Sequence, residues 1–203
     1  MQQESREFLF RRLHSLLGVV PVGLFLIEHF FTNSEATRGP QAFNNAAAFI
    51  VHLPYLHVIE YVFIFIPLLY HGVYGLYIAF TAGYNAGQYS WWRNRLFTIQ
   101  RITGVITFVF IVYHLATTRF SGNAPDFNTV SNIVSNPFAF WFMIIGIVAA
   151  TFHFTNGLWS FLIHWGITIG PRAQRISAYA MMIFFVIMSF VGVRALFAFV
   201  NAA

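Results

Sequence analysis

Residues 138–164 read FAFWFMIIGIVAATFHFTNGLWSFLIH, an unbroken run without Asp, Glu, Lys or Arg and with His153 inside it. As an α-helix this run would be about 40 Å long, more than the ~30 Å hydrocarbon core of a bilayer. A histidine within such a run is costly to hold and usually marks function. The stretch therefore places the chain in a membrane and an imidazole inside it.

Four further apolar runs flank it, near Leu13–Phe31, Leu56–Thr81, Thr98–Phe120 and Ser177–Val200. Three of them carry a histidine of their own: His29, His71 and His114. Composition agrees, since 8% of the 203 residues are charged and 58% hydrophobic, where a soluble domain carries about 25% charged residues. Lipid must be the missing solvent, because a chain of this size cannot bury so much apolar surface in one wet-shelled core. The expected fold is all-α, an integral membrane five-helix bundle forming a single domain over residues 1–203. Runs this long without alternation exclude a β-barrel. Thr32–Pro40, Gly83–Arg95 and Ser121–Pro137 read as loops from their Gly, Pro, Asn, Asp and Ser content. The first run is full length and no small-residue cleavage site follows it, so it is expected to stay in the mature chain.

Arginine sets the orientation, because positive residues collect on the cytoplasmic side of short loops. Arg6, Arg11, Arg12, Arg93, Arg95, Arg101, Arg172 and Arg175 fall on one side, and Arg38, Arg119 and Arg194 on the other. The N-terminus is thus expected in the cytoplasm and the C-terminus outside. There is no lysine, so the net charge of +5 reports arginine at membrane edges and not a nucleic-acid surface. The absence of cysteine excludes disulfides, Cys-ligated iron–sulfur clusters and covalent c-type haem.

Helical rise converts position into depth. His29 and His114 lie roughly 24 Å from the cytoplasmic surface, and His71 and His153 roughly 15 to 18 Å from it. The first two spans supply an outer and an inner histidine, and the next two repeat the order, as in a weak duplication. Pairing by depth makes two sites, His29 with His114 and His71 with His153. Two facing imidazoles are what a six-coordinate b-type haem needs from a protein, since the porphyrin supplies the other four nitrogens. Gly75 and Gly157, each four residues after an inner histidine, would let a flat macrocycle approach the backbone. A di-iron centre lacks its Glu-x-x-His pairs, and zinc would draw ligands to one level. A transporter whose histidines relay protons or hold an ion is the alternative of another class. His52 and His57 read as interfacial, as do His14 and His164, for which contact with haem propionates or a docked subunit is the rival reading. Arg12 and Arg101 read as membrane anchors.

Several motifs are specific beyond this. Arg11-Arg12-Leu13-His14-Ser15-Leu16-Leu17-Gly18, Tyr70-His71-Gly72-Val73-Tyr74-Gly75, Gln100-Arg101-Ile102-Thr103-Gly104 and Phe152-His153-Phe154-Thr155-Asn156-Gly157-Leu158-Trp159-Ser160 resemble the cytochrome b558 membrane anchors of succinate dehydrogenase, of the Bacillus kind. The resemblance runs over nearly the whole chain and is weakest around Asn123–Asn136. It implies a five-helix anchor with two b haems in respiratory complex II, a multi-pass protein of the bacterial cell membrane. Flavoprotein and iron–sulfur subunits would dock on its cytoplasmic side, and electrons would pass from succinate to menaquinone. Carried over by motif, the metal ligands fall on His29 with His114 for the outer haem and His71 with His153 for the inner. A fumarate reductase anchor, running the reaction backwards, is the alternative within the same superfamily.

An electron moving outward is helped by the membrane potential, by about 2.3 kcal/mol per charge per 100 mV across the full membrane. An outer quinone site needs protons, for which Glu28 and Glu60 are the candidate donors. Succinate oxidation itself must come from partners, since this chain has neither a flavin-binding fingerprint nor cluster cysteines. Arg93, Arg95, Arg172 and Arg175 are the expected docking surface for those subunits.

Overall fold

The computed structural model describes the backbone of residues 2–83, 85, 87–89 and 91–201, and the side chains of all of these but 2–5 and 201. Tyr84, Ala86 and Ser90 of the expected second loop, and positions 1, 202 and 203 of the expected domain, lie outside the described residues. Five helical stretches are long and apolar enough to cross a membrane: Arg6–Arg38, Leu56–Thr81, Trp92–Thr117, Pro137–His164 and Gly170–Val200. Large apolar side chains point outward along them, among them Phe31 at 70% exposure, Phe80 at 76% and Phe190 at 64%. In water this surface would be untenable; against acyl chains it is the expected exterior.

The first span is two helices, α1 (Gln2–Val19) and α2 (Pro21–Ser34), joined at Val20 because Pro21 has no N–H to continue the ladder. It runs on through a 3₁₀ turn, Glu35–Arg38, and stops at Gly39, whose φ of 109° only glycine adopts readily. The expected loop Thr32–Pro40 is therefore mostly helical. Pro40 then starts α3 (Pro40–Val51).

The second span begins with the short α4 (Leu56–Val58), widens into a π-helix over Ile59–Phe65 and continues as α5 (Ile66–Thr81). Pro67 cannot donate to the carbonyl four residues back, and a π segment next to it accommodates the missing bond. α6 (Trp92–Thr117) and α8 (Pro137–His164) form the third and fourth spans, and α9 (Gly170–Asn201) the fifth. Arg172 and Arg175, expected in a loop, stand in the first turns of α9, where Pro171 opens the helix.

Within the expected loop Ser121–Pro137 the chain folds α7 (Phe127–Val134), capped by Asp126, whose Oδ1 accepts the Thr129 N–H at 2.8 Å. α3 and α7 lie together at the end of the bundle remote from the N-terminus. There Phe43, Phe127 and Phe199 meet edge to face or tilted, and Ser131 Oγ donates to the Phe199 carbonyl at 2.8 Å. This end holds the main apolar core, with Phe110, Met143 and Leu196 beneath the two short helices.

α8 is the central helix and packs most extensively on α6 and α9. Small residues make that closeness possible: Phe110 occupies the space beside Gly146, and Thr151 and Ser189 share a hydroxyl contact of 2.7 Å between α8 and α9. α1 packs against α5 and α8, and α5 against α6. Between the five spans the bundle is hollow.

Candidate functional site

The hollow is one cavity of about 1770 Å³, lined by His29, His71, His114 and His153 together. Two stations stand in it. Gly18 to His29 on the first span is eleven residues and Gly104 to His114 on the third is ten, so the stations are about 15 Å apart along the bundle.

At the near station, on the side of the N-terminus, His71 of α5 faces His153 of α8 with ring centres 6.0 Å apart and planes at 76°. His71 Nδ1 lies 2.9 Å from the His14 carbonyl and His153 Nδ1 3.0 Å from the Gln100 carbonyl. A carbonyl oxygen only accepts, so each Nδ1 carries the proton and donates. Each Nε2 keeps its lone pair, the tautomer a metal ligand needs. The His14 ring stacks on His71 at 4.1 Å and 5°. Gln100 holds the other side: its Nε2 donates to the His153 carbonyl at 2.9 Å, and its Oε1 accepts from Asn156 at 2.7 Å.

At the far station His29 and His114 have ring centres 5.7 Å apart and planes at 81°. Phe25 and Phe110 flank them. Asn33 Nδ2 donates to the His29 carbonyl at 2.7 Å and stands 3.4 Å from His29 Nε2. His114 Nδ1 is buried without a hydrogen-bond partner among the described residues. The structure thus brings together the two pairs that depth alone groups. Among the described residues no three His, Cys, Asp or Glu side chains converge as a metal cage, so each pair offers two nitrogen donors.

Around the far station Glu60 forms a two-pronged ion pair with Arg119, at 2.9 and 2.8 Å, joining the π-helix of the second span to the end of the third. His57 Nδ1 is 3.7 Å from the same carboxylate. Glu28 is exposed on its helix and accepts from the Thr32 hydroxyl one turn on. Both carboxylates border the cavity.

The glycines behave differently from expectation. The space beside Gly75 holds the His14 ring, whose Nε2 would stand 3.1 Å from an added Cβ, and that beside Gly157 holds the Gln100 amide at the same distance. The glycines that back the near histidines are Gly18, against His71, and Gly104, against His153. Gly18, Gly104, Gln100 and Arg119 stand at the two stations and escape reasoning along each helix, because their partners lie 49 or more residues away.

Among the interfacial residues, His14 proves to be an interior group, its Nε2 buried without a hydrogen-bond partner among the described residues. His164 is exposed and turns back to the Ser160 carbonyl at 2.8 Å, while His52 and His57 are exposed. Arg101 is buried with its guanidinium over the Phe97 ring at 3.8 Å, so it is not a lipid-facing anchor. Arg12 lies over Trp165 at 4.7 Å. Arg93 donates to Gln174 at 2.9 Å and ties α6 to α9, whereas Arg95, Arg172 and Arg175 are exposed and make no such bond among the described residues.

Residues 84–193 match the family described as succinate dehydrogenase/fumarate reductase transmembrane subunit. Over 199 residues, 97% of this chain and 98% of the relative, the sequence is 54% identical to the succinate dehydrogenase cytochrome b558 subunit of Bacillus subtilis (strain 168). The chain therefore belongs to the succinate dehydrogenase/fumarate reductase transmembrane subunit family, as a multi-pass membrane protein.

Proposed function

We propose that this chain is the di-haem cytochrome b anchor of a succinate:menaquinone oxidoreductase in the bacterial cell membrane, with His71 and His153 holding one b haem and His29 and His114 a second. The observation that carries the reading is the pair of facing imidazoles at each of two levels in one cavity. Ring-centre separations of 6.0 and 5.7 Å are close to what one metal atom needs between two imidazole nitrogens at about 2.0–2.1 Å each. The near pair is already in the ligating tautomer. The cavity of about 1770 Å³ suits two large planar groups, since one small-molecule site usually takes about 300–1,000 Å³. When bound, haem supplies a one-electron couple whose potential the axial ligands and their surroundings tune.

The protein's own contribution is order and insulation. Carbonyls of residues 14 and 100 hold the near ligands in one orientation, and α3 with α7 roofs the far end of the bundle. With the N-terminus in the cytoplasm, the near station is inner and the far one outer. Electrons then enter from an iron–sulfur subunit, itself served by a flavoprotein, docked on the side of exposed Arg95, Arg172 and Arg175. They leave beside the far station to menaquinone, with Glu28 or Glu60 moving the protons. The family covers both directions of the reaction, and the relative's name favours succinate oxidation.

Single substitution of each histidine tests the assignment. His71→Ala and His153→Ala should abolish or convert the same haem component of the reduced-minus-oxidised spectrum, and His29→Ala and His114→Ala the other. An unchanged spectrum in either member of a pair contradicts that pair.

A further inference from the structure

The near station is built twice from the same parts. Residue 14 gives its carbonyl to His71 Nδ1, and residue 100 gives its carbonyl to His153 Nδ1. Four residues on, Gly18 and Gly104 lie against those two imidazoles: an added Cβ on Gly104 would stand 2.8 Å from His153 Cε1, and one on Gly18 would stand inside the His71 ring's contact distance. Four residues after each histidine, Gly75 and Gly157 receive the side chains of residues 14 and 100, each with a nitrogen at 3.1 Å from the added Cβ. Carbonyl, backing glycine, histidine and receiving glycine thus recur in α1 with α5 and in α6 with α8. The residue types differ at one position, His14 where the second copy has Gln100, and with it the side-chain contacts: His14 stacks on His71, while Gln100 donates to the His153 carbonyl.

We infer that this duplicated clamp, residue 14 with Gly18 and Gly75 and residue 100 with Gly104 and Gly157, positions the two inner ligands and is required for the inner haem and not for the outer one. This inference rests on the bis-histidine reading of His71 and His153. Its physical basis is contact. Imidazole rings pressed on bare Cα atoms cannot tolerate a methyl group without moving, and the atoms that would have to give way belong to the ligand rings themselves. Each Nδ1–H is spent on a fixed carbonyl, so displacing the ring also costs a buried hydrogen bond. At the far station the pattern is absent among the described residues: His114 Nδ1 has no partner and neither ring is backed by a glycine. His14 and Gln100 are positioning residues. The main-chain carbonyl is the shared element, and the two side chains are two ways of filling the receiving glycine.

The test uses the assembled complex in membranes and reads haem content and the midpoint potential of each component. Gly18→Ala and Gly104→Ala should each remove the component that His71→Ala removes while the other persists, which also shows that the bundle has folded. Gly83→Ala, where nothing lies within 4 Å of the added Cβ, should keep both. The exchanges His14→Gln and Gln100→His should keep both haems, because each side chain already serves in one copy. Retention of both components with unchanged potentials in Gly104→Ala, or loss of the outer component alone, overturns the clamp. So does loss of the inner haem in both exchanges. If the alanine variants hold no haem at all, Gln100→Ala decides, since it adds no volume: it must shift the inner potential alone, and an unchanged inner potential overturns the inference. Failure of the underlying reading looks different, as an unsubstituted complex without two haems or a His71→Ala complex with both.

Discussion

His153 lines the cavity and uses its two ring nitrogens differently: Nδ1 donates to the Gln100 carbonyl, which leaves the lone pair on Nε2. That division is invisible in the sequence, where His153 and Gln100 are 53 positions apart, although the histidine itself is conspicuous from its apolar surroundings. The same holds for Glu60, legible as a lone carboxylate near a membrane edge, while its partner Arg119 comes from another helix. The two proton-donor candidates now differ in their bonds, Glu60 held by a guanidinium and Glu28 by a single hydroxyl. Glu28→Gln or Glu60→Gln is expected to slow quinone reduction several-fold with both haem spectra intact. Full turnover in both variants would remove these carboxylates from the proton path. Glu60→Gln also leaves Arg119 without its charge partner, so a loss confined to that variant with altered quinone affinity would mark a binding role and not proton transfer.

At the scale of elements, hydropathy located every span, and the second agrees with the structure at both ends, Leu56 and Thr81. What it missed were helices too short or too mixed to show as apolar runs. α7 is eight residues with Asn, Thr and Ser among its apolar positions, so composition read it as loop. Its stability comes from a cap and from docking, and both are tertiary facts. Asp126→Ala, which removes the acceptor for the Thr129 N–H, is expected to cost about 1 kcal/mol. Ser131→Ala, which deletes the buried bond to Phe199, is expected to cost a similar ~1 kcal/mol. A lowered thermal unfolding midpoint in detergent would register either loss. No change in both variants would show that α7 does not stabilise the end of the bundle remote from the N-terminus.

For the whole molecule, composition decided the solvent and arginine placement suggested the orientation, while the hollow interior could not be read at all. A cavity of about 1770 Å³ is walled by side chains from all five spans, and no single helix encodes it. Orientation can be measured directly, because the chain has no cysteine. In intact cells an impermeant maleimide should label Gln41→Cys on exposed α3 and leave Gln88→Cys in the second loop unlabelled; the reverse pattern would invert the proposed inner and outer stations. Above all, two histidine pairs are proposed to hold two b haems. The most direct measurement is the haem content of the purified haem-replete protein, by its alkaline pyridine spectrum, together with its reduced-minus-oxidised α-band. Two b haems per chain with two resolvable potentials are predicted, and a colourless protein, or one haem per chain, would contradict the account.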